Sequence, residues 1–308
     1  WGDPSRAPCH TRIGDKNVIQ YPPGTGLVLS IFPSGFQRVP LYATANLVIF
    51  LAAIFAIWSA TSRQAIAGSG IIGIAAIYFM VNPSKASLSM APTMIVCAVV
   101  GFLTSILFNS SKQSHRSVAA ALIGLLLGLA VSFRLPNLLL SIGYFGVLLA
   151  MSVRSNQTGA IFRVVSFSAT FLLGLVPTLV ANAINAGSFM STTYSTIDAT
   201  PPDLSLSIAP QYLTDMQGVL ILLTAAWCVT ALTYNVRKDS ASIVAINLVS
   251  NLAFFLTHPI ATPYYLMPLI MLSFWILLFS FLNDPHDIIA DDGGLHNFEC
   301  RARATQSS

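Results

Sequence analysis

Apolar residues fill nine stretches between about 40 and 282, and short polar connections separate them. They predict helices at 40–60, 67–82, 88–108, 117–133, 136–151, 164–186, 218–234, 241–259 and 263–282. A helix satisfies its own backbone hydrogen bonds, which is the condition for standing in lipid. Several stretches are short for a hydrocarbon core of about 30 Å, so tilt, local thinning or burial among neighbours is required. The predicted fold class is all-α, a polytopic transmembrane helix bundle of about nine spans. Residues 1–39 are expected to form an external loop and juxtamembrane segment, 40–282 the bundle, and 283–308 a polar, disordered cytoplasmic tail.

Composition supports this reading. Mean hydropathy is +0.72 and only 8% of residues are charged, too few to keep a soluble domain of this length apart from its neighbours. The formal charge of +4 is explained by topology and needs no nucleic-acid partner. On alternate connections, Arg63, Lys112, Arg116, Arg154, Arg163, Arg237 and Lys238 fall on one side, against Lys85 and Arg134 on the other. The positive-inside tendency makes the first side cytoplasmic. The N-terminal segment and the loop 187–217 are then external, in a multi-pass protein of the cell membrane. The chain begins at Trp1, and its first forty residues contain no leader, so a further helix upstream of Trp1 is expected.

Some motifs change little. Cys9, Cys97, Cys228 and Cys300 are scattered, without the spacing of a zinc site or a disulfide framework. Asn109-Ser110-Ser111 and Asn156-Gln157-Thr158 fit the glycosylation acceptor pattern but lie in predicted cytoplasmic loops. Gly124 and Gly128 form a GxxxG, read as internal helix packing ahead of dimerisation.

Polar residues at membrane depth are costly, so their placement can mark a site. Asn247, Asn251 and His258 fall within roughly 40° of one another on a helix. The outer end collects Lys85, Arg134, Asn182, Asn185, His258, Tyr264 and Tyr265. Each also has a plainer reading. Arg134 can snorkel to headgroups, the Asn pair can bond across helices, His258 can be interfacial, and the tyrosines can belong to an aromatic belt. The external acids are Asp3 and Asp15 near the start and Asp198, Asp203 and Asp215 in the 187–217 loop. One of them near phosphate-binding cations could serve as a general base, although solvated loop acids are the commoner case. There is no phosphate-loop motif, no nucleotide-binding unit and no HExxH, and no metal or cofactor is expected. An enzyme of the outer face would then draw on a donor already delivered through the membrane.

Four strings resemble membrane glycosyltransferases of the GT-C superfamily, in particular bacterial relatives of protein O-mannosyltransferases and the aminoarabinose transferase. They are Tyr21-Pro22-Pro23-Gly24-Thr25-Gly26, the junction Leu127-Gly128-Leu129-Ala130 through Phe133-Arg134-Leu135-Pro136-Asn137, the stretch Asn182 to Tyr194, and Tyr264-Tyr265-Leu266-Met267-Pro268. The resemblance covers about residues 20–280. It implies inverting sugar transfer from a polyprenyl-phosphate donor at the outer face, with an Asp as base and cations on the leaving phosphate. Asp3 and Asp15 are the candidate bases in this chain. The family's catalytic Asp usually lies further from the Pro-Pro pair, which here would put it upstream of Trp1. Arg134, Lys85, His258, Tyr264, Tyr265 and Asn182 are the candidate substrate-binding residues. Tyr264 stands where relatives commonly carry an Arg, and Ala91 where they often carry an acid. The partners implied are a lipid-linked sugar donor and membrane lipids. The alternatives are a non-enzymatic carrier or flippase of lipid-linked or small polar substrates, and a truncated, inactive relative.

Overall fold

The computed structural model describes residues 10–13, 15–19, 21–58, 66–68, 70–71, 74, 87–155, 157–193, 202–203, 206–213, 216–258 and 265–281. The expected span 67–82 and the tail 283–308 therefore lie largely or wholly outside the described residues. So do Trp1, Asp3, Lys85, Asp198, Asp215 and Tyr264.

The N-terminal segment, expected as a loop, contains an antiparallel hairpin, β1 (His10–Ile13) and β2 (Lys16–Ile19). Ile13 pairs with Lys16, and the two residues between them in sequence are Gly-Asp, a composition that tight hairpins favour. A short helix α1 (Gly24–Leu29) follows. Then come α2 (Arg38–Trp58), α3 (Met90–Asn109) and α4 (Gln113–Val131). A 3-10 segment (Leu135–Ser141) leads into α5 (Ile142–Ser155), followed by the long α6 (Thr158–Ala186). The chain continues through the short α7 (Ala209–Leu213), α8 (Met216–Thr233), α9 (Lys238–Thr257) and α10 (Met267–Phe281).

Six helical stretches are long and apolar enough to cross a membrane, and two shorter apolar helices accompany them among the described residues. This is an all-α bundle of the kind expected of a multi-pass membrane protein. Its exposure pattern fits lipid as the outer solvent: α6 shows Leu172, Leu173, Val176, Val180 and Ile184 outward, while α3 and α10 are largely buried. At 15 residues α10 is about 22 Å long, short of a hydrocarbon core. Its place in the middle of the bundle, with Leu269 to Leu272 and Trp275 almost fully covered, relieves it of matching the bilayer.

Small residues set the closest approaches. A Cβ on Gly124 or Gly128 would run into the backbone carbonyls of Phe167 and Phe171 on α6, and Gly174 answers from the other side. Thr170 Oγ1 donates across the same interface to the Ala121 carbonyl at 2.6 Å. The GxxxG is thus an internal packing device. Gly101 meets Trp275 in the same way between α3 and α10.

Several helix boundaries differ from the predicted spans, and two of them move basic residues. Helix α6 starts at Thr158, six residues before the predicted span, and α4 starts at Gln113 instead of 117. Arg163 and Arg116 are consequently helical residues at one end of the bundle, and Arg163 is buried. The stretch predicted as one helix at 136–151 begins as the 3-10 segment, with Pro136 in its first turn. The polar groups freed where 3-10 gives way to α are satisfied from α9. Asn247 Nδ2 donates to the Leu140 carbonyl at 3.0 Å, and the Gly143 N–H donates to Asn247 Oδ1 at 2.8 Å. Asn251 Nδ2 donates to the Asn247 carbonyl at 2.8 Å. The Asn pair is a structural brace.

Candidate functional site

At the end of the bundle where α4, α6 and α9 finish and α3 and α10 begin, a small, shallow cleft opens to solvent. Its walls are Tyr21, Pro22 and Pro23, then Leu135, then Ala181, Asn182 and Asn185, and finally Thr192 and Thr193. Three segments far apart in sequence meet there. Each is held by local backbone chemistry.

The Tyr-Pro-Pro-Gly segment is tied to the end of α4. The Gly24 N–H donates to the Ser132 carbonyl at 2.8 Å, and a Cβ on Gly24 would collide with Ser132. Two prolines just before that contact restrict the approach of the chain. The second wall comes from the turn after α4, where the Ser132, Phe133 and Arg134 N–H groups bond back to Leu129 and Ala130 carbonyls. Asn137 Nδ2 pins this turn by donating to the Ala130 carbonyl at 2.8 Å and to Thr93 Oγ1 at 3.1 Å. The third wall is the end of α6. Gly187 adopts φ +78°, a left-handed cap that stops the helix, and Asn182 Nδ2 donates to the Phe189 carbonyl at 3.3 Å. The chain after α6 therefore folds back and brings Thr192 and Thr193 to the cleft.

Beside the cleft lies a chain of aromatic contacts. Arg134, next in sequence to the cleft residue Leu135, is buried with 7% exposure. Its guanidinium sits 5.3 Å from the centroid of Tyr265, and Nη1 donates to Met90 Sδ at 2.9 Å. Tyr265 contacts Phe255, Phe255 contacts Phe254 edge-on, and Phe254 stacks on His258 at 5.5 Å. Arg134 and His258 are thus joined through three rings. The expectation that both line one outward cavity is not met by this cleft, whose lining contains neither of them nor Tyr265. The snorkelling alternative for Arg134 does not fit either, since the side chain points into protein.

The remaining candidates separate. Asn182 lines the cleft. Asp15 lies exposed in the hairpin turn, away from the cleft lining, while β2 packs against α6. Asp3 falls outside the described residues, so Asp15 is the described member of that pair of candidate bases. Asp203, one of several loop acids in the sequence, donates its N–H to the Thr257 carbonyl at 2.6 Å, next to His258. Ser207 Oγ donates to Asp203 Oδ2 at 3.3 Å. Sequence reading missed Thr192, Thr193 and Leu135 as walls, and Phe254 and Phe255 as the link between the two ends of the aromatic chain. Aromatic residues one turn before a polar helix end were the available signal for the last two. Among the described residues no group of His, Cys, Asp or Glu could hold a metal ion.

No family model, curated protein or solved structure matches the chain.

Proposed function

We propose that this chain is a membrane glycosyltransferase of the GT-C kind, moving a sugar from a polyprenyl-phosphate donor to a hydroxyl acceptor at the outer membrane face. The observation that carries the reading is the convergence of three of the four resembling strings. Tyr21, Pro22 and Pro23, then Leu135, then Asn182, Asn185, Thr192 and Thr193 line one cleft, and Tyr265 of the fourth string contacts Arg134 beside it.

In this reading the cleft admits the polar end of the donor. The acceptor oxygen attacks the anomeric carbon as its proton passes to a carboxylate, and the bond from that carbon to the phosphate oxygen breaks. The bonding pair leaves with the phosphate, whose charge Arg134, buried beside the cleft, stabilises through space. Asp203 is a described carboxylate tied to this end of the bundle beside His258, and we nominate it as base alongside Asp3 and Asp15. The basic end of the bundle, with Lys112, Arg116, Arg154 and Lys238, is assigned to the cytoplasm, which puts the cleft outside.

The test is transfer of label from polyprenyl-phosphate sugars by membranes containing the protein, with the Asp203→Asn variant alongside. Transfer that falls in the variant at equal expression supports the reading. Binding and movement of the lipid-linked sugar across the bilayer without transfer would favour the carrier reading instead.

A further inference from the structure

At the opposite end from the cleft, two cationic side chains come together on neutral partners. Arg163 is buried with 6% exposure in the second turn of α6. Among the described residues its hydrogen-bond partner is Gln113 Oε1, a neutral amide, which accepts from Nη1 at 2.8 Å. Arg116 stands one turn further along α4 on the same face as Gln113, the residue that Arg163 bonds. Arg116 donates through Nε to the Ser110 carbonyl at 2.6 Å and through Nη2 to the Phe108 carbonyl, so it too is held by neutral acceptors. Two like charges drawn together, one of them buried, are unfavourable unless an anion joins them.

The surroundings supply what an anion would use. The first turns of α4 and α6 abut, since a Cβ on Gly159 would run into the Gln113 side chain. Neither Lys112 nor Gln157 caps its helix with a side-chain bond, so both N-termini present N–H groups at this spot. Just beyond it, Val118 on α4 and Ile161, Phe162 and Val165 on α6 are exposed apolar residues. A ligand with a phosphate at the polar level and hydrocarbon alongside fits both features.

We infer that Arg116 and Arg163 form a phosphate site between the N-termini of α4 and α6, occupied by the headgroup of an anionic membrane lipid. The inference does not depend on the glycosyltransferase reading. Arg163 gives the site its buried charge, and Arg116 can turn its remaining N–H groups toward the same phosphate oxygens.

The experiment compares the purified full chain in nanodiscs of phosphatidylglycerol, of phosphatidylcholine, and of phosphatidylcholine with added inorganic phosphate. Thermal stability and lipids retained in native mass spectrometry are the readouts. The wild type should be more stable in phosphatidylglycerol and retain it on the order of tenfold better than Arg163→Gln, which loses one charge-assisted contact. In phosphatidylcholine Arg163→Gln should be no less stable than wild type, because the uncompensated buried charge is gone. Arg116→Gln gives a second reading of the same loss. Arg154→Gln removes an exposed charge at the same end and should keep the preference. Equal retention by wild type and Arg163→Gln overturns the site. So does an equal loss in Arg154→Gln, which would reduce the effect to surface charge, and so does equal stabilisation by free phosphate, which would make the ligand a soluble anion.

Discussion

The Arg134 guanidinium lies over the ring of Tyr265, 5.3 Å from its centroid, with Met90 Sδ accepting from Nη1. The turn after α4 is thereby locked to the first residues before α10, and a permanent cation is kept beside the cleft. A guanidinium suits this position because it is flat enough to stack and keeps its charge when buried.

If Arg134 stabilises a leaving phosphate, Arg134→Ala should lower sugar transfer on the order of 10²-fold, as for loss of one preorganised donor. Arg134→Lys should recover only part, since a point charge replaces the fork. Tyr265→Ala removes the ring beneath the guanidinium and should lose activity, and Tyr265→Phe, which keeps that ring face, should retain more of it. Label transfer at matched expression measures all four, and full activity of Arg134→Ala would remove Arg134 from the mechanism.

Gly24 and Gly26 are two residues apart but differ in what surrounds them. A Cβ at Gly24 meets Ser132, whereas at Gly26 there is open space. Gly24→Ala should displace the Tyr-Pro-Pro wall and reduce transfer several-fold or more, with little change in the melting of the bundle. Gly26→Ala should be silent in both assays. Equal behaviour of the pair would mean that the contact with Ser132 does not shape the cleft.

Asn247→Leu strips the Leu140 carbonyl and the Gly143 N–H of their partner in apolar surroundings. The expected loss is about 1–3 kcal/mol for groups left unsatisfied, read as a lower unfolding temperature in detergent. Asn251→Leu, which removes one donor within its own helix, should cost less. The reverse order would place the brace elsewhere.

With Cys9 and Cys300 replaced, a cysteine introduced at 192 should react with an impermeant reagent in intact cells, and one introduced at 112 only after the cells are permeabilised. Cys97 and Cys228 are buried and should stay silent. Labelling at 112 from outside would invert the orientation given by the basic connections.

What the chain determined by itself was the class of the bundle and which basic residues share one end of it. Long apolar runs leave a backbone few options in lipid, so helices were legible, and basic residues between them were legible as one end. Lys112, Arg116 and Lys238 lie at the same end because each follows or starts a helix of known direction. Tertiary structure alone decided which polar residues meet. Asn247 could be read as a site or a brace, and only the 3-10 turn facing it, with a carbonyl and an N–H to satisfy, made it a brace. Arg163 reads as a loop cation in sequence, but α6 begins six residues earlier and carries it under Gln113. The cleft needed Gly24 against Ser132 and Asn182 against Phe189, contacts between segments about 100 residues apart or across a reversing turn. Helix periodicity reports which face of one segment is apolar, but it has no term for which neighbour covers that face.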